Sequence, residues 1–278
     1  MLSPSPAHAG NIGVDETADP SNYTAVLAIS DVHGMRSALD ALLKGAGVTD
    51  ADGRWAAKNT LLIVIGDSID KGPQSLEVLD AWMTLAPQAA DAGGRIVHLL
   101  GNHEAEFLAT HTDPTDPAKR YRTFLTEMPL AARVGRWVFC HAGLYPGPTW
   151  HQFSLAAQKT LGAGRYGDPL LSADDSILEA KDWWQDPQAR AALLSRLRAD
   201  DMFGLVQGHQ PKAYGFPYQI GSLNGGRLVK IDNGMAPQAG AHAGSILRFP
   251  KPPQMNYDEL PIMQVLGPDG RVSPVPAN

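Results

Sequence analysis

AVLAISDVHG, residues 25–34, is an apolar, β-prone run that changes abruptly into a polar turn carrying Asp31, His33 and Gly34. An apolar run followed by a turn with glycine and polar side chains recurs at residues 61–73, 95–104, 137–143 and 205–211. Glycine permits such sharp turns because it has no Cβ atom to clash with the backbone. In open α/β sheets, ligands bind outside the carboxyl ends of the strands. These turns therefore predict one polar site at the edge of a sheet.

Strands and helices alternate along most of the chain, which predicts a layered α/β domain. Apolar runs predict strands at residues 25–29, 61–65, 95–100, 137–140, 205–207, 228–231 and 245–249. Amphipathic stretches predict helices at residues 35–44, 75–85 and 188–198. We expect three regions, namely a disordered N-terminal segment over residues 1–22, the folded domain over residues 23–250, and a C-terminal extension over residues 251–278 with an edge strand at residues 261–266.

The polar side chains in these turns are of the types that bind divalent metal ions. Carboxylates and imidazoles suit Mn, Fe, Zn and similar cations. An extended Asp31-Val32-His33 segment would place its two ligand side chains on the same side of the backbone. A pair of metals fits such a site, since two cations can hold the entering and leaving oxygens of a phosphoryl transfer. Water activated by the metals would attack phosphorus, and a histidine with a carboxylate partner could protonate the leaving group.

In their order, these motifs resemble the conserved blocks of the calcineurin-like metallophosphoesterases. The matching residues are DVHG at 31–34, GD at 66–67 with Asp70, GNHE at 101–104, HAG at 141–143, GH at 208–209 and IDNG at 231–234. Many relatives have a further histidine where this chain has Pro211. Pro211 therefore favours the phosphoprotein-phosphatase branch, near the bacterial Shewanella-like phosphatases, with diadenosine-tetraphosphatase-like enzymes as neighbours. The resemblance implies an α/β (α+β) fold of four layers, a β-sandwich flanked by helices.

The resemblance also implies roles for individual residues. It implies two divalent ions, Mn, Fe or Zn, whose ligands would be Asp31, His33 and Asp67 for the first, and Asp67, Asn102, His141 and His209 for the second. Asp67 would thus bridge the two ions. The catalytic acid corresponds to His103, and Asp70 would orient its ring.

Two positions depart from the usual pattern of that branch. Its arginine after the second Asp is Lys71 in this chain, and the nearest match to its second phosphate-binding arginine is Lys181. Arginine binds phosphate through two parallel hydrogen bonds, whereas lysine acts as a point charge. We expect Lys71 to contact substrate phosphate. Lys181 is either the second phosphate contact or an ordinary surface charge.

Three other side chains receive structural interpretations. His98 lies inside an apolar run and is interpreted as a core residue. Glu104 stands at a helix start, where an acid interacts well with the helix dipole or with a neighbouring ligand. His242 is not expected to belong to the site, because no strand precedes it.

The bulk composition places few limits on the substrate. The net charge of −6 gives no basic surplus to indicate nucleic acid or an acidic membrane as a partner. We also find no apolar run near the ~20 residues that a transmembrane helix needs. The compartment is taken as cytoplasmic by default, and as periplasmic if a signal peptide was removed before Ala7-His8-Ala9.

The leading interpretation is a metal-dependent phosphomonoesterase whose partner is a phosphorylated protein or small molecule. The alternative is a hydrolase of nucleotide polyphosphates or phosphodiesters. Lysines in place of arginines select less strictly for a terminal, dianionic phosphate group. A third class, a catalytically silent binding protein, would be indicated by loss of a metal ligand or of His103. None of these residues is lost.

Overall fold

The computed structural model describes residues 13–17, 19–111, 119–145, 147–250 and 261–278. Over these residues, two six-stranded sheets pack face to face, and helices cover both outer faces. The layers follow the order helix, sheet, sheet, helix. The expected four-layer α/β sandwich is therefore confirmed.

The strands, in chain order, are β1 (Val14–Thr17), β2 (Ala25–Ile29), β3 (Thr60–Ile65), β4 (Arg95–Leu99), β5 (Ala131–Val134), β6 (Trp137–Cys140), β7 (Gly204–Gln207), β8 (Gly221–Leu223), β9 (Leu228–Lys230), β10 (Ile246–Phe249), β11 (Gln264–Leu266) and β12 (Val272–Pro274). One sheet has the order β12-β11-β10-β2-β3-β4, with β2, β3 and β4 parallel. The other has the order β1-β5-β6-β7-β9-β8, with β6, β7 and β9 parallel. Each sheet thus contains a run of three neighbouring parallel strands.

The helices are α1 (Arg36–Gly45), α2 (Ser75–Asp91), α3 (Asn102–Thr110), α4 (Lys119–Thr126), α5 (Trp150–Gly162), α6 (Pro169–Ser172) and α7 (Pro187–Ala199). Helices α1 and α2 cover the outer face of the β2-containing sheet through side chains such as Leu39 and Trp82. The remaining helices cover the β6-containing sheet. Among the described helices, we find none with the length and apolar character needed to cross a membrane.

Side chains alternate between the two faces of each central strand, as strand geometry requires. In β2, Val26 and Ala28 face the layer between the sheets, whereas Leu27 and Ile29 pack with the outer helices. Both faces are apolar because both are covered. Fully burying each large apolar side chain stabilises the fold by about 1.5–3 kcal/mol.

All seven predicted strands are present, and their ends differ from the prediction by no more than one residue. The three predicted helices are also present, but α2 continues to Asp91, past Pro87. Strands β1, β5, β8 and β12 were not predicted. They are as short as several predicted strands, but they contain few large apolar side chains and so show no clear apolar pattern.

The expected disorder of residues 1–22 is wrong for residues 13–17 and 19–22. Strand β1 pairs with β5 in parallel, and Val14 is buried in the core beneath the outer helices. Asp15 accepts a hydrogen bond from Arg95 at 3.1 Å. Residues 1–12 and Ala18 lie outside the described residues. A buried apolar side chain and a long-range ion pair therefore hold this short polar strand in place.

The expected edge strand at residues 261–266 is present as β11, but it is not at the edge. Strand β11 pairs with β10 on one side and with β12 on the other, so β12 forms the edge. Residues 251–260 lie outside the described residues. Met263, Val265 and Val275 pack against the core between the sheets. Residues 261–278 are therefore part of the main fold rather than an extension of it.

Candidate metal centre

The turns after β2 and β3 run side by side beyond their sheet. The backbone N–H of Asp31 donates to Gly66 O at 3.2 Å, and the N–H of His33 donates to Asp67 O at 2.8 Å. Asp31, His33 and Asp67 have left-handed φ angles of 54°, 48° and 52°. Residues other than glycine rarely adopt this conformation, which is concentrated at functional sites.

These angles correct one expectation. The Asp31-Val32-His33 segment is not extended, because both of its outer residues have positive φ. Two backbone kinks, rather than strand alternation, bring Oδ1 of Asp31 to 3.8 Å from Nε2 of His33.

Asp67 lies at the centre of the resulting cluster of side chains. Its Oδ2 atom is 3.6 Å from Nε2 of His33, 3.4 Å from Nε2 of His141 and 3.9 Å from Nε2 of His103. His33 follows β2 in one sheet, whereas His141 follows β6 in the other. The carboxyl ends of the parallel strands of both sheets therefore meet at this one carboxylate.

Asn102 and His209 surround the other side of His141. The Nε2 atom of His141 is 3.1 Å from Oδ1 of Asn102 and 3.1 Å from Nδ1 of His209. The backbone N–H of His209 donates to both carboxylate oxygens of Asp31, at 3.2 and 3.0 Å. All six residues expected to be ligands thus form one connected cluster. Their binding of metal stays a prediction.

Backbone carbonyl groups fix the orientation of two imidazole rings. The Nδ1 atom of His33 lies 3.2 Å from Ile69 O, and Nδ1 of His141 lies 3.1 Å from Ile65 O. A carbonyl oxygen can only accept, so each Nδ1 must donate its proton. The Nε2 atom of each ring then faces Asp67, where a neutral ring can offer its lone pair to a metal cation. Ligand histidines are commonly held by this kind of outer hydrogen bond.

The ionisation of the cluster is dominated by burial and by Asp67. Burial lowers the pKa of His33 to about 4, against the attraction of Asp67. Burial and the neighbouring His141 lower the pKa of His209 to about 3. Burial also opposes a charge on His141, but Asp67 overcomes it and raises the pKa of His141 to about 10. The buried carboxylate thus attracts positive charge strongly, whether a proton or a metal cation.

Two glycines allow the carboxylates to lie against the backbone. A Cβ atom on Gly208 would be 2.3 Å from Oδ2 of Asp31, and one on Gly101 would be 2.1 Å from Oδ1 of Asp67. Both distances are far shorter than a van der Waals contact. Any side chain at Gly208 or Gly101 would therefore displace a carboxylate of the cluster.

The cluster fits a pair of divalent cations. Two groups of three ligand atoms, each within 4.8 Å of one another, are formed by His33, Asp67 and His103 and by Asp67, His141 and His209. The two groups share Asp67, as a bridging ligand would. The Nε2 atom of His209 is buried and has no hydrogen-bond partner among the described residues. Carboxylate, imidazole and amide donors are the set that suits Mn, Fe or Zn.

His103 lies at the edge of this cluster, where its Nε2 atom belongs to one of the two groups of possible ligand atoms. Its Nδ1 atom is 3.0 Å from Oδ2 of Asp70, and its Nε2 atom points toward Asp67. The Asp70 side chain is 55% exposed, whereas that of His103 is 17% exposed. The pair expected from the sequence is therefore in contact, at the open side of the centre.

The two lysines expected to bind phosphate lie at different distances from the cluster. Nζ of Lys71 is 2.9 Å from Nε2 of His33, so this side chain reaches the centre itself. Lys181 lies at the rim, beside a cavity that His209 also lines, and its Nζ is 3.7 Å from Oε2 of Glu179. The structure thus places both lysines near the centre, with Lys181 farther out and already in an ion pair.

Glu104 has a larger role than its position at a helix start suggests. Its carboxylate accepts backbone N–H groups of Asp67, Ser68 and Gly101 at 2.8, 2.8 and 2.9 Å. Glu104 therefore links the turn after β3 to the turn after β4.

Asp232 and Lys230 were not predicted as members of the site. Both are buried, and burial raises the pKa of Asp232 to about 6 and lowers the pKa of Lys230 to about 8. Asp232 lines a cavity together with His33 and His209. The IDNG block could have indicated that Asp232 lies near the site, because it follows β9 at the same end of the sheet as the other turns.

Residues 24–236 match the family described as calcineurin-like phosphoesterase, and the chain belongs to that family. It is therefore a metallophosphoesterase, a hydrolase of a metal-dependent family. The chain is similar to a symmetrical bis(5'-nucleosyl)-tetraphosphatase of Methylococcus capsulatus, with 30% identity over 69% of this chain and 71% of the relative. It is also similar to Shewanella-like protein phosphatase 2 of Arabidopsis thaliana, with 32% identity over 33% of this chain. That match spans only 26% of the length of the plant protein.

Among solved structures, the fold resembles a cold-active protein-tyrosine phosphatase of a psychrophilic Shewanella species. The TM-score is 0.74 at 20% identity, and the alignment covers 96% of this chain and 85% of that one. At this identity the likeness concerns the fold alone. The family and its phosphatase relatives indicate a phosphorylated substrate, either protein or nucleotide.

Proposed function

We propose that this chain is a phosphatase that hydrolyses phosphomonoesters at a dinuclear metal centre formed by Asp31, His33, Asp67, Asn102, His141 and His209. The observation that carries the proposal is the position of Asp67. Its Oδ2 atom lies 3.6 Å from His33 and 3.4 Å from His141, histidines that come from opposite sheets. One carboxylate is thus shared by two ligand groups, as a bridge between two ions requires.

When bound, two divalent cations neutralise the phosphoryl oxygens and promote ionisation of water. Asp31 and His33 would hold one cation, while Asn102, His141 and His209 would hold the other. The rings of His33 and His141 are already oriented by carbonyl groups, so little reorganisation is needed.

His103 supplies the proton that the leaving group needs. Asp70 accepts a hydrogen bond from Nδ1 and leaves Nε2 directed toward the centre, 3.9 Å from Oδ2 of Asp67, beside a substrate held at the metals. A proton on Nε2 can therefore pass to the oxygen that departs from phosphorus. Proton transfer of this kind typically accelerates a reaction by about 10²–10⁴-fold.

A phosphomonoester is the substrate that the surroundings favour. Lys71 brings a positive charge to the edge of the centre, and a monoester carries more negative charge than a diester. The similarity to Shewanella-like protein phosphatases supports this choice and leaves both phosphoproteins and small monoesters as substrates.

The second candidate is hydrolysis of nucleotide polyphosphates. It is favoured by the similarity to the tetraphosphatase of Methylococcus capsulatus, which extends over more than two thirds of both chains. The same two metals and the same acid would act on a phosphoanhydride.

The proposal is tested with the wild-type protein, Asp67→Asn and the control Asp174→Asn, an exposed aspartate outside the cluster. Each protein is assayed with Mn and p-nitrophenyl phosphate, bis-p-nitrophenyl phosphate or diadenosine tetraphosphate, and its metal content is measured by elemental analysis. We expect about two ions per chain and a preference for the monoester in the wild type and the control. Asp67→Asn should lose both metal and activity.

A metal-replete wild type with one ion per chain would contradict the dinuclear centre. A preference for diadenosine tetraphosphate would replace the leading function with the second candidate.

A further inference from the structure

A cavity of about 270 Å³ opens directly from the metal centre. His33, His209 and Asp232 belong both to this cavity and to the cluster or its surroundings. The other walls of the cavity come mainly from two segments, residues 211–218 and residues 234–239. We refer to it as the lateral cavity. A substrate bound at the metals would extend into it.

A buried lysine links the first of these segments to Asp232. Nζ of Lys230, whose side chain is fully buried, donates to Pro211 O at 2.8 Å and to Asp232 O at 3.0 Å. The backbone N–H of Tyr218 also donates to Pro211 O, at 2.7 Å. Tyr218 has a φ of 60°, an uncommon conformation for an aromatic residue. These contacts indicate that the cavity is formed before any substrate binds.

Two lysines, against the one buried carboxylate of Asp232, leave the lining of the lateral cavity with a net positive charge. Lys71 lies at its inner end beside His33, and Lys212 lies on the wall that contains Tyr218. Nζ of Lys212 is 5.5 Å from the centre of the Tyr218 ring. In the described part of the chain, neither lysine has a carboxylate within ion-pair distance, unlike Lys181.

The position of Lys212 is itself supported by aromatic contacts. The Tyr218 ring stacks on His242 with their centroids 4.4 Å apart and their planes at 22°. A cation near the ring face is attracted by the π electrons. The ring of Tyr218 therefore attracts the exposed ammonium group of Lys212 toward this wall of the cavity.

We propose that Lys212 makes the lateral cavity a subsite for a second anionic group of the substrate, next to the scissile phosphoryl group that Lys71 contacts. This proposal rests on the proposed phosphatase function and narrows its substrate class. Pockets for drug-sized ligands typically measure about 300–1,000 Å³, so the lateral cavity is sized for a small group. A phosphate or a carboxylate group is negatively charged and small enough for this cavity. Lys212 is then a specificity-determining residue.

The test compares substrates that differ in the second anion. Ethyl phosphate has none, 2-phosphoglycolate carries a carboxylate, and ethyl diphosphate carries a second phosphate. The metal-replete wild type, Lys212→Ala, Lys212→Arg and the control Lys159→Ala, an exposed lysine of α5, are assayed on all three. The quantity compared is the kcat/KM for each of the two substrates with a second anion, divided by that for ethyl phosphate.

We expect Lys212→Ala to lower this ratio by about ten- to a hundredfold, mainly through KM, because one charge-assisted contact is lost. Lys212→Arg should keep most of the ratio, and Lys159→Ala should not change it. The substrate whose ratio falls identifies the second anion as carboxylate or phosphate. Activity on all three substrates with both ratios unchanged in Lys212→Ala would overturn the subsite. A wild type inactive on every substrate would instead overturn the phosphatase function.

Discussion

The carboxylate of Glu104 accepts the backbone N–H of Asp67 at 2.8 Å and so joins the start of α3 to the turn after β3. The same carboxylate accepts N–H groups from Ser68 and Gly101. Glu104 is 1% exposed, so water cannot replace these bonds. The geometry of the central carboxylate therefore depends on a side chain that is not itself a predicted ligand.

Glu104→Gln should weaken both the fold and the metal centre. An amide has one acceptor oxygen, and its NH₂ group would face backbone N–H groups that now donate to a carboxylate. We expect the free energy of unfolding of the metal-free protein to fall by about 1–3 kcal/mol. Metal affinity should fall by about ten- to a hundredfold. Urea unfolding and titration with Mn would measure the two effects.

Glu77→Gln provides a matched control for that substitution. Glu77 occupies the third position of α2, as Glu104 does in α3, but its side chain is exposed. It should change stability by less than about 0.5 kcal/mol. Equal effects of the two substitutions would show that Glu104 acts only through the helix dipole.

The sequence predicts the central strands and the position of the site well, because both signals are local. Each long apolar run ends in a turn containing glycine, as in the change from Ile65 to Gly66 and Asp67. Parallel neighbours then bring these turns to one edge. His98 was correctly interpreted as a core residue, since it is buried between the rings of Trp82 and Phe124.

The features that the sequence did not predict depend on contacts over long separations. Strand β1 is ordered because Val14 pairs with Ala131 and because Asp15 meets Arg95. The contacts of Lys230 with the carbonyl of Pro211 likewise follow from the packing of neighbouring turns. The local pattern of apolar and polar residues does not indicate which distant residues form such pairs. The positive φ of Asp31 could not be predicted from the sequence either, since the backbone after a strand can continue extended or turn.

His103→Ala should reduce turnover without removing metal. The proton on Nε2 matters most when the leaving group is a poor one, such as an alkoxide. We therefore expect a loss of about 10²–10⁴-fold for ethyl phosphate and a much smaller loss for p-nitrophenyl phosphate. His151→Ala, at an exposed histidine of α5, is the control. Similar losses on both esters, or a loss of bound metal, would argue that His103 is a ligand rather than an acid.

Stability should decrease in acid partly because of His98. Burial lowers its pKa to about 3, whereas an unfolded histidine titrates near 6.5. The unfolded chain therefore takes up a proton between these values and the folded protein does not, so stability falls as the pH drops below 6.5. At pH 5 this linkage costs about 2 kcal/mol. In metal-free protein, His98→Leu should remove that cost.

The measurement is urea unfolding of wild type and His98→Leu at pH 8 and pH 5. Other titrating groups cancel when the variant is compared with the wild type at each pH. The variant should gain about 2 kcal/mol relative to the wild type on going from pH 8 to pH 5. A constant difference between the two proteins would show that His98 titrates alike in the folded and the unfolded chain.

Lys71 should select for the charge of the substrate phosphate. Its Nζ atom lies 2.9 Å from Nε2 of His33, so its charge acts at the metal centre itself. One charge-assisted contact contributes roughly 1.5–3 kcal/mol, and Lys71→Ala should lower the efficiency on a monoester about ten- to a hundredfold.

Lys71→Arg should keep activity and favour dianionic monoesters over monoanionic diesters, because two parallel bonds suit a terminal phosphate. The measurement is the ratio of monoesterase to diesterase efficiency in the three proteins. If Lys71→Ala has the same efficiency as the wild type on both substrates, Lys71 does not contact the substrate. If the ratio is unchanged in Lys71→Arg, Lys71 still contacts the phosphate but does not determine the choice between monoester and diester.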